Sequence, residues 1–139
     1  MESVFSKIIK REIPAHIVYE DEFVIAFLDI TQATKGHTLV VPKVQYETIF
    51  DMPEALSGKV FEVATKVAKA IQKAFNPEGL NILSNNGAFA SQSVFHFHIH
   101  LIPRYQGDDL VNMKMVNHVN EISKQDFEKR KEAIKASLS

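Results

Sequence analysis

The 139-residue chain has no cysteine and no tryptophan, and only five glycines and five prolines. Without cysteine there are no disulfides, no thiolate nucleophile and no thiolate metal site. That composition fits a reducing compartment. Few Gly and Pro leave no flexible or Pro-rich linker, and no repeat or low-complexity tract interrupts the sequence. No apolar run reaches the roughly 18 residues of a membrane span. The first sixteen residues mix Lys7, Lys10 and Arg11 with acids, so the apolar stretch of a signal peptide is missing. Neither charge sign dominates: 16 Lys+Arg stand against 17 Asp+Glu, a net charge of −1. No global positive field draws a nucleic acid, and no acidic tail is present. The expectation is one soluble, cytoplasmic domain with neither nucleic acid nor membrane as partner.

What is present is a 45% hydrophobic, 24% charged chain with clear periodicities. Val4, Phe5, Ile8 and Ile9 predict a short amphipathic helix over 3–11 that stops before Pro14. Ile17–Tyr19 and Phe23–Leu28, separated by Glu20-Asp21-Glu22, predict a hairpin. Thr38–Val41 predicts a strand bounded by Gly36 and Pro42. From Pro53 to Phe75, Leu56, Val60, Val63, Ala64, Val67, Ala68 and Ile71 repeat at helical spacing, with Asp51 as a candidate cap. Gly79–Leu83 and Val94–Pro103 predict two more strands, and Ser123 with Asp126 predicts a capped final helix. Residues 106–120 read as irregular. Strands with short connections around one long helix predict α+β: an antiparallel sheet of about five strands with helices on one side.

Three of the six histidines lie in Val94-Phe95-His96-Phe97-His98-Ile99-His100-Leu101-Ile102-Pro103. In a strand, alternate side chains share a face. His96, His98 and His100 are therefore expected on one face, with Phe95, Phe97, Ile99 and Leu101 on the other. Three surface histidines on a solvated sheet would need no function. One metal cannot take all three, because residues i and i+4 of a strand lie roughly 13 Å apart. Two of them could share an ion with His37 or carboxylates. A row of imidazoles also suits a phosphoric ester or anhydride, since neutral imidazole is a nucleophile and its neighbours can supply protons and hydrogen bonds. The preceding Ser84–Ser93 loop is small, polar and turn-prone, as a phosphate-facing loop must be. Neither GxGxxG nor GxxxxGK[ST] occurs, so Rossmann and P-loop phosphate binding are unsupported.

His96-Phe97-His98-Ile99-His100-Leu101-Ile102 resembles the His-φ-His-φ-His-φ-φ signature (φ apolar) of histidine triad (HIT) nucleotide hydrolases and transferases. Phe5-x-Lys7-Ile8-Ile9, Glu12-Ile13-Pro14, Tyr19-Glu20-Asp21, Ala26–Ile30, Gly36–Lys43 and Gln92-Ser93-Val94 are similar to further family segments in family order. The likeness covers about residues 3–105 and is nearest to the bacterial Hit-like and Hint-like branch. It implies a HIT-like fold with 106–139 as tail. It also implies His98 as nucleophile at an α-phosphorus, its other ring nitrogen fixed by a backbone carbonyl, that of His96. His100 and His37 would contact phosphate oxygens, Ser93 and Gln92 would assist the leaving group and phosphate, and Asn85 would hold the phosphate. Asp29 would accept from the ribose hydroxyls, and Val4, Phe5, Ile8, Phe27 and Ile30 would form the base slot. Residue type alone leaves Asp29 and Asn85 open as turn residues, His37 as a strand-end residue, and the apolar set as ordinary core.

The implied activity is cleavage at the α-phosphorus of purine nucleoside phosphoramidates, adenylated compounds or dinucleoside polyphosphates, with an AMP or GMP moiety held. The alternative is a nucleotide-binding regulatory module with little turnover. The Trp-Pro-Pro-Gly ending of the Hint branch is absent, which leaves the substrate open within that set. The resemblance also implies a homodimer, sheets joined edge to edge with the long helix in the interface; the wide apolar arc Val60, Phe61, Val63, Ala64, Val67 and Ala68 fits one. One family branch holds zinc through Cys-x-x-Cys, a histidine after the Pro-Lys strand end and the first triad histidine. The corresponding positions here are Ser3, Ser6 and Gln45, with only His96 kept. No metal and no cofactor are expected.

Overall fold

The computed structural model describes residues 1–110 and 114–138. Residues 111–113, within the 106–120 segment expected to be irregular, thus lie outside the described residues. The element order is α1 (Val4–Ile9), β1 (Ile17–Glu20), β2 (Val24–Leu28), β3 (Thr38–Pro42), α2 (Glu54–Phe75), β4 (Gly79–Leu83), β5 (Ile99–Arg104) and α3 (Lys124–Ser137). Short 3₁₀ turns occupy Ala88–Ala90 and Val119–Glu121. The five strands form one sheet in the order β1-β2-β3-β5-β4, each neighbouring pair antiparallel. The expected α+β class is the observed one.

Local chemistry sets the boundaries. Ser3 caps α1 by accepting the Ser6 N–H at 2.9 Å. Asp21 Oδ1 accepts the N–H groups of Phe23 and Val24 at 2.8 and 2.9 Å, which closes the β1–β2 turn. Asn76 ends α2 in the left-handed region, φ 50°. Ser123 and Asp126 form the expected capping box of α3. Asp51 does not cap α2. Its amide closes a turn on Thr48, and extended Pro53 takes the cap position without a side-chain bond.

The helices do not share one side as expected: α2 and α1 cover opposite faces, because alternate residues of the same strands are apolar on both. Val24, Ala26, Val40, Phe97, Ile99 and Leu101 pack with Val60, Val63, Ala64, Val67 and Ile71 of α2. Ile25, Phe27, Leu39 and Val41 pack on the other face with Phe5 and Ile8 of α1. The apolar arc of α2 is therefore mostly used by its own sheet, and only Phe61 of it stays exposed.

The His-bearing strand is shorter than expected. It begins at Ile99, where β5 pairs with β3 through Val40↔Ile99, Leu39↔His100 and Thr38↔Leu101. Residues 94–98 leave the ladder because other partners take their polar groups. The Phe97 N–H donates to Tyr46 O at 2.6 Å, and the Pro42 carbonyl receives the His96 ring at 2.7 Å. Phe95, expected in the core, is 42% exposed for this reason. No described helix is long and apolar enough to cross a membrane.

Candidate active site

On the α1 face a cavity of about 460 Å³ opens between α1, β2 and the 84–100 segment. His98 and His100 line it beside Asp29, Asn85 and Ser93, with Val4, Phe5, Ile8, Phe27 and Ile30 around the apolar part. Phe5, Ile8 and Phe27 are buried, so these residues serve as core and wall at once. Ile30 is 88% exposed and contributes at the surface only. A second cavity of about 420 Å³, lined by Val18, Val67, Ile71, Ala74 and Phe75, has Lys66 as its only charged residue and no cluster of polar groups.

Hydrogen bonds assign each imidazole tautomer. His98 Nδ1 lies 2.7 Å from the His96 carbonyl, which can only accept, so Nδ1 carries the proton and the lone pair is on Nε2. His96 Nε2 donates to Pro42 O at 2.7 Å, so its Nδ1 accepts from the Ser3 hydroxyl at 2.6 Å. The Ala33 N–H donates to His37 Nδ1 at 3.2 Å, which puts the His37 proton on Nε2. That proton is directed to His100 Nδ1 at 2.9 Å, leaving His100 with an Nε2–H donor. One ring thus has a free lone pair and its neighbour a free N–H, with ring centroids 4.9 Å apart. A nucleophile and an oxyanion donor have this complementarity.

All four rings resist protonation. Burial pushes His98 below the ordinary histidine value, only partly offset by the His96 carbonyl and the Asp29 charge. His100 is pushed down to about 4 by burial and then by the neighbouring His98 and His37. Burial also lowers His37 and His96. Burial raises Asp29, but the Thr31 N–H and hydroxyl, donating to Oδ1 at 2.9 and 2.8 Å, and the nearby His37 and His100 outweigh it and hold the carboxyl below its usual value.

Several predicted residues take places other than those expected. His37 does not line the cavity; it is buried behind His100 and reaches the cavity through that ring. His96 is fully buried with both ring nitrogens engaged. Gln92 is buried in its own loop. Its amide N–H₂ donates to Glu47 O and Val94 O at 2.6 and 3.0 Å, and its Oε1 accepts from Gly87 N–H at 2.7 Å, so no side-chain group is left for a phosphate. Gln92 instead shapes the loop that presents Asn85, Ser91 and Ser93. Ser91, at φ 73°, lines the cavity and was not singled out by spacing or motif.

Gln32 is a second residue the sequence did not flag. Its amide donates to Asp29 O and His37 O, both at 2.7 Å, and accepts from Gly36 N–H at 3.0 Å, tying together the loop that carries both side chains. Gly36, at φ 92°, lies where a Cβ would come within 3.0 Å of the Phe75 ring.

Asp29, His37 and His100 offer ligand atoms within 4.8 Å of one another, the one such group among the described residues. The Ala33 amide keeps the His37 proton on Nε2, the atom that faces the other two. Coordination there would move that proton to Nδ1, against another N–H, so the set suits a hydrogen-bond relay and fits a cation poorly.

A HIT domain profile matches residues 10–107. "Protein hit" of Bacillus subtilis is 44% identical over 136 residues, covering 98% of this chain and 94% of its own. A purine nucleoside phosphoramidase of Escherichia coli is 38% identical over 104 residues, covering 73% of this chain and 86% of its own. A crystal structure of a HIT-family protein from Bacillus subtilis superposes with a TM-score of 0.96 at 43% identity, covering 100% of this chain and 99% of its own.

Proposed function

Because the chain belongs to the HIT domain family, we propose that it is a nucleotide hydrolase in which His98 attacks the α-phosphorus of a purine nucleotide derivative. The carrying observation is the His98 tautomer: Nδ1–H held by the His96 carbonyl at 2.7 Å, with an unprotonated Nε2 in a ring that lines the cavity. Attack forms a P–Nε2 bond and breaks the bond from phosphorus to the leaving group. Ser93 and the His100 N–H serve the leaving atom and the phosphate oxygens in this reading. Asn85 holds the phosphate from the loop. Water then displaces His98 from phosphorus and releases the nucleoside monophosphate.

Asp29 takes the ribose. Its Oδ1 is held by Thr31, and a carboxylate can accept from two vicinal hydroxyls. Phe5, Phe27, Ile8, Val4 and Ile30 flank the purine. Phosphoramidates, adenylated compounds and dinucleoside polyphosphates all present the required α-phosphorus. The protein acts as a homodimer, its single HIT unit carrying the 106–139 tail. β4 is one of the two outer strands, the other being β1, and exposes Ile82, which supports edge-to-edge pairing with a second copy. Sedimentation showing only a monomer at micromolar concentration would contradict the dimer.

Single-turnover labelling tests the function. A nucleotide labelled at the α-phosphate should leave label on the denatured protein transiently, ahead of product. Tight nucleotide binding without label or turnover would favour a regulatory binding module.

A further inference from the structure

Helix α1 supplies Val4, Phe5 and Ile8 to the cavity but is only six residues long. A helix that short does not hold itself in water. Phe5 also meets the His98 ring edge-on, centroids 5.0 Å apart, so the placement of α1 bears on the nucleophile's surroundings. Three polar side chains fasten it. The Ser3 hydroxyl donates to His96 Nδ1 at 2.6 Å and accepts the Ser6 N–H at 2.9 Å. Gln45 Oε1 accepts from the Ser3 N–H at 2.8 Å and the Ser6 hydroxyl at 2.9 Å, and its amide donates to Met1 O at 2.8 Å. His96 closes the set through Pro42 O on β3.

The family resemblance sets these residues at the positions where one branch carries zinc. The set here does not fit zinc. Two neutral hydroxyls and a neutral amide are poor ligands, and each is satisfied by another member of the group. We propose that Ser3, Ser6 and Gln45 form a metal-free clamp that pins α1 to the triad segment and thereby sets nucleotide affinity. Ser3 and Gln45 are positioning residues: they touch neither the phosphate cradle nor the ribose carboxylate. The proposal rests on the cavity being the nucleotide site.

The test compares Ser3→Ala, Gln45→Ala and Ser3→Thr. Four quantities are measured: affinity for AMP by calorimetry, kcat and KM on adenosine 5′-phosphoramidate, and amide exchange of residues 4–9. Both alanine variants should weaken AMP and raise KM about tenfold, with kcat changed less than about threefold, and should exchange faster at 4–9. Ser3→Thr keeps the hydroxyl and should stay within about twofold of wild type on every measure. Gln45→Ala leaves the Ser3 cap intact, so faster exchange there assigns the effect to the clamp. Unchanged exchange at 4–9 in both alanine variants overturns the clamp, as does an equal loss in Ser3→Thr. Faster exchange with unchanged AMP affinity overturns its role in binding. A wild-type protein that binds no AMP contradicts the nucleotide-site reading instead, and the exchange data still judge the clamp.

Discussion

The two faces of the sheet are made by the same strands yet covered by very different helices. On one face the 22-residue α2 lies across Val24, Ala26, Val40, Ile99 and Leu101. On the other, the six-residue α1 covers Ile25, Phe27, Leu39 and Val41. At about 1.5 Å per residue, α2 spans roughly 33 Å and α1 roughly 9 Å. The long helix seals its face into a core. The short one leaves part of its face open, and His98 and His100 line that opening. Around the start of β5 the side chains divide: Ile99 and Leu101 pack into the core under α2, while His98, just before the strand, and His100 line the opening. Substitutions on the two faces should therefore fail in different assays.

The largest effect is expected at His98. His98→Ala should lower kcat by at least ~10³ and abolish the covalent adduct, as loss of a nucleophile does. Steady-state kinetics on the folded variant checks this, and near wild-type turnover would remove His98 from the reaction. The opposite pattern is expected on the α2 face. Ile71→Ala should cost about 2–5 kcal/mol in denaturant unfolding while KM per folded molecule stays near wild type. A parallel loss of activity there would erase the contrast between the faces.

Smaller effects sharpen it. Asp29→Ala should weaken ribonucleotide binding about tenfold, and 2′,3′-dideoxynucleotide binding by much less, because only the former has hydroxyls to lose. Equal losses for both would exclude Asp29 from the sugar. The pH dependence follows from buried, neutral imidazoles. Because burial lowers His98, the acid limb of the rate should fall with a midpoint below the ordinary histidine value of about 6.5. A midpoint at or above that value would contradict a buried nucleophile. Stability should follow the same groups. The unfolded chain takes up protons below about 6.5, whereas folded His37, His96 and His98 resist and His100 holds out to about 4. The stabilisation is complete above about 6.5 and is lost as pH falls through the lower folded values. Melting curves from pH 7 to pH 4 check this, and a flat Tm across that range would refute it.

Much of this was legible in the sequence because periodicity and motif agree. The α2 stripe, the five strands and the Ser123–Asp126 box each follow from spacing or cap chemistry. His98 and His100 follow from alternation joined to the family signature. What spacing does not carry is the destination of hydrogen bonds. Strict alternation extends the strand back to Val94, but Pro42 O and Tyr46 O draw residues 94–98 out of the ladder and leave Phe95 exposed. Gln92 reads as a phosphate ligand until its amide is found engaged by Gly87, Glu47 and Val94. His37 reads as a phosphate contact, but the Ala33 amide and His100 make it a second layer. Gln32 and Ser91 belong to no motif. Their roles depend on left-handed loop backbones at φ 41° and 73°, which non-glycine side chains do not announce.

In the proposed reaction the free lone pair of His98 becomes bonded to phosphorus. Rapid mixing of the protein with adenosine 5′-phosphoramidate, acid-free denaturing quench and peptide mass spectrometry test it most directly. An adenylyl group should appear on the peptide containing His98, assigned to that ring, and should rise and decay faster than or with product release. Turnover at full rate with no adduct on any time scale, or an adduct on a residue other than His98, would contradict the account.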